Sequence, residues 1–472
     1  MATRQFRQSG RPGASGSYTG LVSNKPSPAL PPGPPLPPVI QATLMLRYWP
    51  HFVSACRRRY GRIFTLDIAK MGTLVYLDDP ADIKQVFAGD AKTFHAGEAN
   101  SVLTGLLGPE SVLVIDEDVH RDRRRLMLEP FHRDAVARQT DVMAEIAAAN
   151  IADWPVGTPF PVAPKMSQIT LEVILRLVIG ASDPQRLAAL REVLPRLLNL
   201  SAFQLLAIGT PGLQRRLPWR EVRRRIEDAD RLLYAEIAER RADPELATRT
   251  DALAMLVRAA DQDGRTMTDA ELRDQLMTLL VAGHDTTATG LSWALERLTR
   301  HPAVLAKAVR AAEAGDDEYL DAVAKETLRN RPVVFDVGRL LTRPVEIAGY
   351  QLPAGVMVVP GVGLVHSDDR IYPDADRFDP DRMVGASLSP TTWLPFGGGA
   401  RRCLGATFAM AEMRVVLREV LRRTELVTTT ARGERQQVKH VILTPRRGAR
   451  ITVSRLRIPQ PTANASMTHR GV

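Results

Sequence analysis

A lone cysteine sits inside a glycine-rich run, Phe396-Gly397-Gly398-Gly399-Ala400-Arg401-Arg402-Cys403-Leu404-Gly405. The run opens into a helical pattern, with Leu404, Phe408, Met413, Val416, Leu417, Val420 and Leu421 near helical spacing. Backbone N–H groups and the helix dipole at such a junction favour a thiolate on Cys403. Gly397, Gly398, Gly399 and Gly405 allow unusual backbone angles and let a flat group come close to the main chain. Arg401 supplies a cation suited to a carboxylate on that group, and Phe396 can shield the sulfur from water. A thiolate, a flat approach and a carboxylate partner describe an axial ligand for haem iron. The plainer alternative for the same residues is a buried structural cysteine behind a flexible turn.

A second chemical stretch lies about 120 residues earlier, in Val281-Ala282-Gly283-His284-Asp285-Thr286-Thr287. It interrupts an apolar helical pattern, and polar groups buried in mid-helix need partners or a purpose. The small residues at 282 and 283 leave room for a flat cofactor or a diatomic ligand. Thr286 can bond back to an upstream carbonyl, open the helix locally and admit water. A hydroxyl can hold bound dioxygen and its water while the Asp285 carboxylate feeds protons from bulk. His284 has no direction readable from sequence and is not assigned as a ligand.

The ten-residue cysteine run resembles the haem-binding signature of cytochrome P450 enzymes, with Phe, Gly, Gly, Arg, Cys and Gly in their fixed places. Ala282-Gly283-His284-Asp285-Thr286 is similar to the oxygen-activating helix motif of the same family. That resemblance implies haem b with Cys403 as thiolate ligand to iron, Ala282 against the haem, and Asp285 and Thr286 managing protons. Glu326 and Arg329 stand at i and i+3 on a helix closed by Pro332, and the usual reading of such a pair is a surface ion pair. The resemblance makes them two members of a buried triad completed by Arg382 of Phe378-Asp379-Pro380-Asp381-Arg382, a structural lock behind the cysteine loop. His120 and Arg124, at i and i+4, resemble the propionate-binding His-x-x-x-Arg helix of bacterial P450s, although His120 also reads as a solvated surface histidine. Arg339 and Arg401 fall where the family places further propionate partners, and His366 also matches a recurrent position. Phe396 and Gly397 belong to the same cofactor-binding set.

These residues need a scaffold. Thr268 and Glu271 form a capping box ahead of an apolar run that stops at His301-Pro302. The spacing predicts about 32 helical residues, roughly 48 Å long. Arg62 to Ile68 and Thr73 to Leu77 read as a strand pair around Gly72, and Val345 to Ala348 reads as a strand that turns at Gly349-Tyr350 and returns from Gln351 onward. Ile451 to Val453 reads as a returning strand. No repeat and no linker divides the chain from residue 41 to 457. The expected class is mainly α with a smaller β-rich lobe, which is also what the P450 resemblance implies.

The chain has 472 residues, 44% of them apolar and 25% charged, a balance suited to a globular core. Only Cys56 and Cys403 are present, which excludes a disulfide scaffold and a multi-thiolate zinc site and fits a reducing compartment. Cys56 reads as an incidental helix residue. The net charge of +10 resides in short clusters (Arg121 to Arg125, Arg223 to Arg225, Arg446-Arg447) without aromatic interleaving, so no nucleic-acid surface is expected. An acidic protein partner is the more economical reading. Arg402, with Arg121, Arg123 and Arg125, is the candidate docking face. No G-x-G-x-x-G follows a strand, so electrons are expected from a separate ferredoxin or flavodoxin with its NAD(P)H reductase.

Residues 1–40 are polar and then proline-rich, expected as a disordered or polyproline tail; 458–472 is expected as a second flexible tail. Membrane-bound P450s carry a similar proline stretch behind an anchor. Here no 18-residue apolar run and no signal peptide occur, so a soluble, cytoplasmic protein of bacterial type is expected, with peripheral membrane contact open. Leu197 to Ile208, Ser101 to Leu107 and Val333 to Val337 are apolar candidates for a pocket wall, or ordinary core. They favour a lipophilic small-molecule substrate. Dioxygen-dependent monooxygenation is the function this implies. A peroxide-using or rearranging P450-fold enzyme is one alternative, which the intact Asp285-Thr286 pair disfavours, and a non-catalytic haem-binding module is the other.

Overall fold

The computed structural model describes residues 30–181, 183–198 and 220–457. The expected tail at 458–472, residues 1–29 and the wall segment from residue 199 to Ile208 lie outside the described residues. The first element overturns part of the tail expectation. Helix α1, Pro38–Tyr60, starts on a proline at its first position, where a missing N–H costs nothing. Ahead of it the prolines lie along the sheet: the Pro31 carbonyl accepts from Thr65 Oγ1 (2.7 Å) and the Pro32 carbonyl from the Thr65 N–H (3.0 Å). A Cβ on Gly33 would fall 2.1 Å from the Thr65 oxygen, so glycine is required for that approach. Prolines lack donors but keep their carbonyls, which suits them to covering a sheet edge.

That edge is β1, Ile63–Ile68, antiparallel to β2, Gly72–Leu77, with Gly72 at positive φ in the turn. Cys56 is buried where α1 packs on this pair. Helix α2, Pro80–Ala88, follows, capped by the Asp79 side chain. Strand β3, Phe94–His95, lies at the other edge of the five-stranded sheet. Helix α3, Glu117–Leu126, carries the His120-Arg124 pair. Helices α4, Thr140–Ile151, α5, Ala163–Val173, and α6, Arg220–Ala242, lead to α7, Asp269–Arg300.

The long helix forms as expected, 32 residues with the Thr268–Glu271 capping box intact. Most of it is buried: Leu272, Leu276, Leu280, Leu291, Leu295 and Leu298 are at most 1% exposed. It packs against α5, against α9, Asp317–Asn330, and against α10, Ala406–Arg423; α8, Pro302–Ala314, connects α7 to α9. Strands β4, Arg339–Leu341, and β7, Met357–Pro360, complete the main sheet. Between them β5, Val345–Ile347, and β6, Tyr350–Leu352, make a hairpin whose turn lies one residue earlier than expected, at Ala348-Gly349. Positive φ at both Ala348 and Gly349 gives the two-residue turn that matches strand twist. Near the end, β8, Gln436–Lys439, pairs with β9, Ile442–Pro445. The returning strand also appears, split at Thr452 into β10, Arg450–Ile451, and β11, Val453–Leu456.

Candidate haem-thiolate site

The cysteine loop is shaped by its contact with α2. Gly399 has φ +65°, and a Cβ there would fall 2.0 Å from the Phe87 carbonyl oxygen, so both its backbone angle and its neighbour demand glycine. The Cys403 N–H donates to the Phe396 carbonyl (2.9 Å) and closes the loop three residues before α10 begins. The Cys403 side chain is accessible, yet it is surrounded deeply enough that burial raises its thiol pKa. Accessibility at that depth means that the thiol opens on an internal space. The Gly405 N–H, Arg124 and Arg402 pull the other way, and burial outweighs them. The protein alone therefore holds a thiol, where the sequence led to a thiolate. A bound metal ion reverses that, because a coordinating thiol is deprotonated outright.

Among the described residues, none of three basic groups near this loop forms an ion pair, although Asp116 is near enough to act on His120 and Arg339. His120 is 5% exposed, none of the described residues bonds its ring, and burial with Arg401 and Arg124 holds its pKa down at about 3. Arg124 is half-buried without a carboxylate and lies close enough to Cys403 to interact with it. Arg339, on β4, is 7% exposed; its side chain donates to the Gly338 carbonyl and lies over the Phe87 ring, and burial lowers its pKa to about 10. Arg124 and Arg339 are cations at half-buried and buried positions, where charges normally have partners. Neutral His120 offers a ring N–H beside them, so this set calls for an anion. The two propionates of a haem meet that demand, and the residues fit the group.

Arg401 is placed differently. It forms an ion pair with Asp116 and donates to the carbonyls of Val112 (3.2 Å) and Ile115 (2.6 Å). Asp116 also accepts from the N–H groups of Ala96, Gly97 and Glu98 at 2.8–3.0 Å. The sequence reading missed Asp116; its place immediately before α3, as the N-cap, was the available signal. The same segment reaches α7: Gln275 Oε1 accepts from the Val112 N–H (3.0 Å), and Thr278 and Ser111 share a hydroxyl bond of 2.6 Å. Arg401 thus ties the cysteine loop to α7 through residues 111–116.

On α7, Ala282 is exposed and Thr286 partly so, between buried Leu280 and Thr287, so this face looks into internal space. Thr286 Oγ1 donates to the Ala282 carbonyl (2.7 Å) as expected, and the helix stays unbroken through the bond. Gly283 departs from expectation: its missing Cβ accommodates Ile174 Cδ1 at 3.0 Å, so it serves packing against the segment after α5. Successive helical residues point about 100° apart, which is why 282 and 283 cannot both face the opening. Asp285 forms an ion pair with Lys439 at the end of β8 (3.1 Å), a partner that no sequence pattern indicated.

The triad assembles as the resemblance implied. Glu326 and Arg329, at 0% and 1% side-chain exposure, form a bidentate pair (2.7 and 2.8 Å), and Arg382 Nε lies 3.5 Å from Glu326. Arg329 also donates to the His366 carbonyl (2.7 Å), and His366 Nε2 accepts from the Leu394 N–H (2.9 Å), two residues before Phe396. Burial and Arg329 depress the His366 pKa to about 3. His120 and His366 are thus neutral when folded but take protons when unfolded below about pH 6.5. Their stabilisation is present above that pH and is lost as the pH falls toward 3. The denaturation midpoint of the haem-free protein is therefore expected to be lower at pH 5.5 than at pH 7.5, and lowering the pH should cost less stability in the His366→Gln variant.

Two further expectations change. Arg123 is buried against Glu271 (2.5 Å), which removes it from the proposed basic face, while Arg121, Arg125 and Arg402 remain exposed. The 333–337 segment is not uniformly apolar: Asp336 accepts from the Tyr76 hydroxyl (2.5 Å), and burial raises its pKa to about 6. Leu106 and Leu107 are core residues, whereas Val102 is 56% exposed; Leu197 is buried.

With this geometry described, comparison with known proteins decides the family. The cytochrome P450 family model matches residues 31–453. The chain is a cytochrome P450. It is 70% identical over 94% of its length to a Mycobacterium tuberculosis protein named cytochrome P450 135B1, and the match covers 96% of that protein. It is 40% identical to cytochrome P450 135A1 of the same species, over 91% of this chain and 96% of that protein. Among solved structures, the P450 fold recurs in the retinoic acid-bound cyanobacterial CYP120A1, with a TM-score of 0.78 and 25% identity over 90% of this chain and 99% of the other. Membership makes the protein a haem-thiolate monooxygenase, an oxidoreductase that uses iron, oxygen, a substrate and redox partners. Among the described residues no helix is long and apolar enough to cross a membrane.

Proposed function

We propose that this P450 takes two electrons from a separate ferredoxin or flavodoxin system and inserts one atom of dioxygen into a lipophilic small molecule. The observation that carries the site assignment is the inward-opening Cys403 thiol beside three basic residues that form no ion pair among the described residues, His120, Arg124 and Arg339. Cys403 is the axial ligand, and those three bind the propionates. Arg401, fixed by Asp116, positions the loop and adds to the positive field. When bound, the haem supplies the iron at which dioxygen is activated and oxygen transferred.

The chain's own groups do the rest. Ala282 leaves space above the haem, and Thr286 presents its hydroxyl there while donating to the Ala282 carbonyl. Asp285, held by Lys439, carries protons toward that hydroxyl. Glu326, Arg329 and Arg382 hold the framework behind the loop. Exposed Arg402, beside a hollow of about 290 Å³ lined by Trp393 and Phe396, suits an acidic electron donor. A lipophilic substrate is supported by the retinoic acid held in the structural relative.

The test is turnover with a reconstituted ferredoxin pathway and a substrate found by spin-state titration. In that assay Thr286→Ala is expected to uncouple the reaction. Reductant consumption persists, hydrogen peroxide rises, and product per reductant falls by about tenfold or more, the low end of what a positioned proton donor contributes. Unchanged coupling would remove Thr286 from proton handling.

A further inference from the structure

His284 precedes the proposed acid Asp285 on α7, and its ring points away from the open face, into α5. It is 2% exposed and bonded at both nitrogens: Nδ1 to Thr170 Oγ1 (2.9 Å) and Nε2 to Ser167 Oγ (3.0 Å). Thr170 and Ser167 stand three residues apart on α5 and so share a face. Nε2 also lies 3.7 Å from Asp285 Oδ1, whose other oxygen is held by Lys439 at 3.1 Å. Ser167 is half-buried, on the margin between this buried cluster and the surface.

Either tautomer satisfies the two ring contacts, and the one with its proton on Nδ1 has the following partners. The Thr170 hydroxyl donates to a carbonyl, that of His284 at 3.2 Å or that of Ser167 at 3.3 Å. Its lone pair is then free to accept from the Nδ1–H. Nε2 is left as an acceptor for the Ser167 hydroxyl, with Asp285 Oδ1 at 3.7 Å from the same nitrogen. Burial lowers the His284 pKa, which keeps the ring neutral at rest.

We propose that His284 is a positioning residue for Asp285 and the inner end of a proton entry from the α5 side, with Ser167 as its outer end. This rests on the assignment of Asp285 and Thr286 to proton delivery. A water proton reaches Ser167 Oγ as the hydroxyl proton of Ser167 passes to Nε2. The imidazolium then hands that proton from Nε2 to Asp285 Oδ1. The ring returns to its Nδ1–H form, Ser167 is again a hydroxyl, and one proton has moved from solvent to Asp285. A small rotation of the carboxylate closes the 3.7 Å gap to hydrogen-bond length. Lys439 limits how far the carboxylate turns and keeps it from leaving the ring.

A histidine that merely joins two helices would give a different pattern of mutant effects. Ser167→Ala removes the outer hydroxyl and leaves the Thr170 anchor; Ser167→Thr restores a hydroxyl; Thr170→Val removes the anchor and leaves the entry. In the reduced carbon monoxide complex, ¹⁵N resonances of His284 are expected to show protonated Nδ1 and a bare, hydrogen-bonded Nε2, with the Nε2 resonance moving in Ser167→Ala. In turnover, Ser167→Ala and His284→Asn are expected to lower product per reductant by a factor of about five to ten and to raise the solvent deuterium isotope effect. Ser167→Thr recovers both values, and Thr170→Val lowers thermal stability with an unchanged isotope effect. A protonated Nε2, or wild-type coupling and isotope effect in Ser167→Ala while Thr286→Ala still uncouples, would overturn this entry alone. Normal coupling in Thr286→Ala would instead bring down the reading beneath it.

Discussion

Cys403→Ser is expected to abolish both the thiolate-type absorption of the reduced carbon monoxide complex and the oxygen-inserting activity. The hydroxyl of serine does not ionise near neutral pH and is a poor ligand for iron, whereas a coordinated cysteine sulfur is a strong electron donor. The fold should survive. The Cys403 N–H bond to Phe396 is a backbone interaction that serine keeps, and the side chain opens on internal space, so the smaller oxygen creates no packed void. His120, Arg124 and Arg339, the proposed propionate partners, are untouched, so some haem is expected to remain bound. The checks are the absorption spectrum, the haem content and the thermal midpoint measured on one preparation. Thiolate-type spectra and activity retained together in the variant would contradict the ligand assignment.

Glu326→Ala is expected to cost about 3–5 kcal/mol of stability, the scale for removing one partner of a buried ion pair. The loss is large because the Glu326 carboxylate serves three groups: Arg329 in a bidentate pair, Arg382 at 3.5 Å, and the Asp379 N–H at 2.9 Å. Without it the Arg329 guanidinium, 1% exposed, keeps its charge with the His366 and Arg377 carbonyls and the Tyr372 ring to face but no carboxylate among the described residues. His366 connects this damage to the site, since its Nε2 holds the Leu394 N–H just before the cysteine loop. Lower haem retention should therefore accompany the lower stability. Denaturant unfolding followed by circular dichroism and by the haem band checks both. A cost below about 1 kcal/mol, the range of an exposed pair, would mean that the pair is not the lock assigned here.

Much of this site is legible in the chain because local rules and the motif agree. The capping box, the apolar period and the stop at His301-Pro302 fix α7 from Thr268 onward without any tertiary information. The turn glycines at 72 and 349 mark their hairpins because they adopt positive φ there. What was not legible depends on contacts distant in sequence. Asp116 on Arg401, Lys439 on Asp285, and Ser167 with Thr170 on His284 join segments more than 100 residues apart. Arg123 looked like part of a basic surface because its neighbours are charged; only the packing of α3 against the start of α7 shows it facing Glu271. The proline-rich segment misled for the opposite reason. Its composition suits a solvated polyproline chain, and it is ordered by the unpaired edge of β1. The thiol of Cys403 is a third case, since a sequence motif announces the ligand while the depth that raises its pKa emerges only on folding.

The central claim is that Cys403 binds haem iron as a thiolate in the space between the cysteine loop and α7. The direct test is the carbon monoxide difference spectrum of the dithionite-reduced, purified protein. A strongly red-shifted Soret band is predicted, and it should be lost in Cys403→Ser. A band at the position of neutral axial ligation in the intact protein, or no haem band at all, would contradict the account.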